Sequence, residues 1–102
     1  MKLSKEQVGS LKSSLKLIYS VLKGDTHVVI DTERGLLHGL DSHLCLAVNA
    51  AYLKVIPGFQ FRIEAKKLHS VLSHLRGEVD LEATGTSLVL SAGAARFVLP
   101  TS

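Results

Sequence analysis

The stretch SKEQVGSLKSSLKLIYSVLKG, residues 4–24, decides how the rest of the chain is read. Val8, Leu11, Leu15, Ile18 and Leu22 recur three and four residues apart, the spacing of one apolar stripe on an α-helix. Lys5, Lys12, Lys16 and Lys23 recur seven, four and seven apart. At about 100° per residue they form a row within roughly 40° of arc, set about 100° around the helix from the apolar stripe. No acid lies in that row, and Glu6 points elsewhere. Ser4 and Gln7 have the spacing of a capping box, and Leu3 and Val8 that of a hydrophobic staple. Gly24 suits a left-handed helix stop. A row of lysines is most often a solvated face, so its meaning depends on what surrounds it.

The totals narrow the choices. With 102 residues and 46% hydrophobic side chains, the chain predicts a single domain over 1–102 with one core. Cys45 is the lone cysteine and sits in an apolar run, which predicts a buried free thiol and a reducing compartment. There is no run of about 18 uninterrupted apolar residues, and no signal-peptide core follows Lys2 and Lys5. The expectation is a soluble, cytoplasmic protein without a membrane partner. The net charge of +3 is unevenly spread. Two predicted helices, 4–23 and 64–76, carry Lys5, Lys12, Lys16, Lys23, Lys66, Lys67 and Arg76 against only Glu6 and Glu64, whereas acids outnumber bases elsewhere. Such segregation points to a polyanion meeting the helical face.

Residues 1–3 read as a short strand before the first helix. Residues 26–32 are rich in β-branched side chains, and turns at 33–35 and 41–42 lead into strands 36–40 and 44–53. The run 44–53 has a composition that also suits a helix, but its place in a meander favours strand. Pro57-Gly58 marks a turn, residues 59–63 alternate as a strand, and residues 64–76 carry Leu68, Val71, Leu72 and Leu75 at helical spacing. Strands 79–83, 87–91 and 95–99 follow, separated by turns at 85–86 and 93. The element order is β-α-β-β-β over 1–53 and again over 58–102. That repetition predicts an α+β domain in which two helices share one layer against antiparallel sheet.

Catalytic chemistry finds little support. His69 and His74 are five apart on a predicted helix, which does not align them as i, i+4 ligands would be. His43 and Cys45 share one side of a strand with no second pair nearby, so no metal site is expected. Phosphate-binding glycine loops, a nucleophile elbow and a convincing carboxylate pair are all missing from the sequence. Asp25, Asp31 and Asp41 fall at turns, where Asp is common. The reading is a non-enzyme without cofactors.

The order of elements resembles one domain of the DNA sliding clamps, the rings that give replicative polymerases their processivity. MKLSKEQ (1–7) with the helix that follows resembles the opening of bacterial and T4-type phage clamps. GLLHGLDSHLCL (35–46) resembles the clamp segment where an Asp/Ser/His turn joins two strands. IEAKKLHSVLSHL (63–75) resembles the second clamp helix, and LVLSAGAARFVLPTS (88–102) the closing hairpin. The resemblance implies a DNA-clamp fold whose helices line a hole around double-stranded DNA, with sheets outside. Carried over by position, Lys5, Lys12, Lys16 and Lys66 are the DNA-facing candidates, with Lys23, Lys67 and Arg76 at helix ends or flanks. Ser10, Ser13, Ser70 and Ser73 are small enough for water-mediated phosphate contacts. The implied partners are DNA, other copies of the chain, and a DNA polymerase or other DNA enzyme. Clamps of this type have two or three such domains per chain, so a ring from one domain needs about six copies, each giving an edge strand to the next. A monomeric or dimeric clamp-fold module docking on another protein, a piece of a longer clamp, and a lysine-faced domain with only topological likeness are the other readings.

Overall fold

A computed structural model describes residues 1–22, 26–41 and 44–102. Strand β1 (Lys2–Leu3) leads into helix α1 (Lys5–Val21). Strands β2 (His27–Asp31), β3 (Leu36–Leu40) and β4 (Cys45–Asn49) follow, and a single 3-10 turn spans Ala51–Leu53. Strand β5 (Gln60–Glu64), helix α2 (Ala65–His74) and strands β6 (Val79–Ala83), β7 (Ser87–Ala92) and β8 (Ala95–Pro100) complete the chain.

The start of α1 forms as its residues predict. The Ser4 hydroxyl accepts from the Gln7 N–H at 3.2 Å, and the Gln7 side-chain oxygen accepts from the Ser4 N–H at 2.9 Å. Two N–H groups that the helix cannot satisfy internally are thereby bonded. Leu3 and Val8, the expected staple, both lie in the core. The helix ends at Val21 because Leu22 leaves helical geometry at φ −91° and ψ 118°. Lys23 and the expected stop at Gly24 lie outside the described residues. Helix α2 is shorter than the expected 64–76. Leu75 turns to extended geometry and buries its side chain, and Gly77, at φ +72°, carries the chain into β6.

The run 44–53 is a strand for only half its length. Asn49 stops it: its side-chain oxygen accepts from the Ala51 N–H at 3.0 Å, an Asx turn that competes with strand pairing. Ala50 then donates to the Gly35 carbonyl at 2.8 Å, and Leu53 swings into the core. Gly35 sits at φ +69°, and a Cβ there would stand 3.0 Å from the Ala51 Cα, so a side chain would be strained in its backbone and tight against Ala51.

Two four-stranded antiparallel sheets result, in the orders β1-β6-β7-β8 and β4-β3-β2-β5. Each sheet draws its first or last strand from the opposite half of the chain. Thus β1 lies on β6, with Leu3 opposite Val79, and β5 lies on β2, with Ile63 opposite Val28. The helices cover the inner sheet faces through fully buried Leu11, Leu15, Ile18, Leu68 and Leu72. Helix α1 sits very close to β3. A Cβ built on Gly39 would lie 2.5 Å from the Ile18 Cγ2 and 2.6 Å from the Leu22 Cδ1.

Of the four sheet edges, β1 is only two residues long, and β5 is bonded at Arg62 to Ser102 in both directions, at 2.9 and 3.1 Å. That leaves β4 and β8 with outer rows that no other described strand pairs. Cys45, expected to be buried, is exposed on β4. Strand alternation explains the reversal: Leu46 and Val48 turn toward the core, which sends Cys45, Ala47 and Asn49 outward. Asp31, expected at a turn, is almost fully buried at the end of β2. Its carboxylate accepts from the Arg34 N–H and from the Gln60 side-chain amide, each at 3.0 Å, and so fastens the β2–β3 turn to β5.

Candidate nucleic-acid interface

Helices α1 and α2 pack side by side and run antiparallel, since the first turns of α1 meet the end of α2. Lys5, Val8, Gly9 and Lys12 of α1 and Ser73, Leu75, Arg76 and Gly77 around the end of α2 line an open groove of about 510 Å³. Gly9 supplies no side chain, and nothing stands within 4 Å of where one would be. The groove is therefore open down to the helix backbone there. Lys5 and Arg76 are exposed on its walls, and Lys12 is half-buried.

Farther along the seam a second cluster forms. The His69 ring meets the Tyr19 ring edge-on, with centroids 5.6 Å apart and planes at 81°. The Lys66 ammonium lies over the same Tyr19 ring, 5.9 Å from its centroid. Cation–π placement of this kind is worth about 0.5–1 kcal/mol at an exposed site. The His69 pKa is held below the usual histidine range, first by burial and then by the positive charges of Lys12 and Lys16. Those two lysines of α1 thus share a field with the α2 residues. None of Lys5, Lys12, Lys16, Lys66 and Arg76 forms an ion pair with a carboxylate among the described residues.

Lys67 is different. At about 100° per residue it falls on the far flank of α2 from Lys66 and His69. It pairs with Glu64 at 3.5 Å and borders a separate hollow with His27, Leu99 and Pro100. Of the seven cations expected at the site, five converge, Lys67 stands apart, and Lys23 lies outside the described residues. Sequence reading counts Tyr19 only among a few aromatics that form no stacking row, and His69 only as an unsuitable metal ligand. The available signal was its spacing: His69 follows Lys66 by three and precedes Ser73 by four, which puts all three on the flank facing α1. His74, the other histidine of α2, approaches the Ser70 carbonyl at 2.7 Å. No group of three or more potential metal ligands gathers among the described residues, and no helix among them is long and apolar enough to cross a membrane.

No protein-family model and no curated protein matches the sequence. Solved structures do. The Helicobacter pylori beta clamp in complex with carprofen superposes with a TM-score of 0.74 at 20% identity, over 100% of this chain and 29% of that one. The same clamp bound to a DNA ligase peptide gives 0.71 at 19% identity, over 100% of this chain and 30% of that one. The DNA polymerase III subunit beta of Pseudomonas aeruginosa gives 0.69 at 20% identity, with 100% and 29% covered. This chain therefore spans less than a third of the clamps it resembles. At such identity the likeness is one of architecture, and that architecture, two helices on two antiparallel four-stranded sheets, is the DNA-clamp fold.

Proposed function

We propose that this chain is a clamp subunit that lays its helix face along the phosphates of duplex DNA and holds a DNA polymerase or another DNA-processing enzyme to the duplex. The observation that carries the reading is the convergence of Lys5, Lys12, Lys16, Lys66 and Arg76 on one helix pair without acidic partners among the described residues. Phosphate contacts position a protein without reading sequence, and a protein that slides has to avoid base-edge contacts that would pin it. Four of the five cations are lysines, hydrated point charges on flexible stems that suit transient contact better than the planar fork of arginine. The aromatic side chain on this face, Tyr19, is taken up by His69 and Lys66 and forms no stacking row for single strands. The work is topological and needs no catalytic step.

A ring from subunits of this size takes about six copies joined head to tail. The unpaired rows of β4 and β8 supply the joint: β8 of one copy extends the sheet that ends at β4 of the next. Exposed Leu40 and Leu44 beside β4 and exposed Phe97 and Val98 on β8 give that joint apolar surface to bury. A second reading rests on the clamp fold without a ring: a monomer or dimer that docks on a replication or recombination protein without encircling DNA.

Native mass spectrometry and duplex affinity measured against salt test both. A closed assembly of about six copies, with affinity falling steeply between 50 and 200 mM salt, is the expected result. A monomer or dimer with salt-dependent duplex binding leaves the helix face and removes the ring. Absence of duplex binding at low salt overturns the proposal.

A further inference from the structure

We propose that His69 is a further phosphate ligand of the helix face, and that its imidazole takes up a proton as a DNA phosphate docks between Lys12, Lys16 and Lys66. The inference rests on reading that face as a duplex-phosphate surface, and it names a titrating member of the site. Geometry places the ring at the seam. It is held edge-on to Tyr19 of α1 at 5.6 Å, and Lys66, one helical turn earlier on α2, folds over the same tyrosine. Among the described residues, the charged and titratable groups facing His69 are thus Lys12, Lys16 and Tyr19 from α1 and Lys66 from its own helix. None of them is a carboxylate.

In the free protein, burial and the two α1 ammoniums oppose a further positive charge, so the imidazole is held neutral at neutral pH. A phosphate seated among the lysines reverses the local field, and an imidazolium can donate to it from either ring nitrogen. The His69 pKa is therefore higher in the complex than in the free protein. The sign follows: binding is stronger at low pH, and the advantage is lost as pH rises through the pKa of the complex. Each unit of difference between the two pKa values is worth about tenfold in affinity. The other described histidines lie elsewhere: His27 and His38 border a hollow on the sheet with Arg62, and His74 bonds the Ser70 carbonyl.

The test combines titration with mutation. The His69 ring proton signals are followed against pH in the full chain alone, with a duplex of about 20 base pairs, and with inorganic phosphate at the same phosphate concentration and ionic strength. The expected result is a midpoint that rises by half a unit or more with the duplex and little with inorganic phosphate. A midpoint unmoved by duplex, or moved equally by both, overturns the proposal. In parallel, wild-type duplex affinity should fall three- to tenfold from pH 6 to pH 8. His69→Gln should flatten that profile while keeping the salt dependence, and His74→Gln should leave it intact. A His69→Gln profile with the wild-type slope overturns the role of His69 alone, whereas absent salt-dependent binding in the wild type overturns the helix-face reading itself. Should His69→Gln fail to fold, the wild-type titration decides.

Discussion

The two helices stand in equivalent places of their halves but are built differently. Helix α1 has 17 residues and a complete capping box, and its lysines make no ion pair with a carboxylate among the described residues. Helix α2 has 10 residues, and Glu64 at its start makes no capping bond through its side chain. It splits its lysines, with Lys66 facing α1 and Lys67 paired to Glu64. Lys12 and Lys16, four residues apart, repel each other at a cost of about 0.2–0.5 kcal/mol. A helix selected for stability alone would place an acid there, as α2 does beside Lys67. The contrast separates lysines held ready for an external anion from lysines already satisfied within the fold.

The largest effects should come from the buried stripe, where the helices behave alike. Leu15→Ala on α1 and Leu72→Ala on α2 each empty a site with 0% exposure. Each should cost about 2–5 kcal/mol in denaturant unfolding. A much smaller loss at Leu72 would mean that the shorter helix is loosely seated. Next come the charges, where the helices should part. Lys12→Glu with Lys16→Glu removes two cations and adds two anions at the seam, and duplex affinity should drop about a hundredfold, or ~2.8 kcal/mol. Lys67→Glu makes one charge reversal on the far flank and should change affinity by less than about threefold. Equal effects per charge would show that the whole helix layer, and not the seam, meets the anion.

Much of this division could be read from residues alone, and the misses have physical causes. The three-and-four spacing from Val8 to Leu22 placed α1 and its core face, and the alternation of Val79, Leu81 and Ala83 placed β6. What eluded reading depended on partners distant in sequence. Exchange of β1 and β5 between the sheets pairs Leu3 with Val79, residues that no local pattern connects. The early end of β4 turns on one Asn49 side chain bonding its own backbone, a choice that the apolar composition of 44–53 conceals. The apolar neighbours of Cys45 point to the interior, whereas the alternation of β4, with Leu46 and Val48 turned to the core, sends it outward. The lysine row of α1 was legible because its spacing is local. His69 was not, because its meaning comes from α1 residues fifty or more positions away.

Helix starts offer a finer test. Ser4→Ala removes one half of the capping box and should cost about 1 kcal/mol by thermal or denaturant unfolding. Glu64→Ala at the equivalent place on α2 removes only a partly exposed ion pair and should cost under about 0.5 kcal/mol. Reversal of that order would mean that α2, despite its bare start, is the helix whose end limits the fold.

The smallest expected change in duplex affinity is the most diagnostic for the groove. Gly9 lies inside α1 with helical neighbours on both sides, and a Cβ there meets nothing within 4 Å. Helix propensity favours alanine over glycine by about 0.8–1 kcal/mol in a helix interior, so Gly9→Ala should stabilise the domain by about that amount. The same methyl projects into the groove between Lys5 and Lys12, whose volume of about 510 Å³ dwarfs it, so duplex affinity should stay within about twofold of wild type. Lysine stems are long enough to meet a phosphate well above the helix surface, and a bound backbone would then never touch residue 9. A tenfold loss of affinity in a variant that is more stable would locate the phosphate against the α1 backbone itself, with glycine kept at a cost in stability so that the anion can come that close.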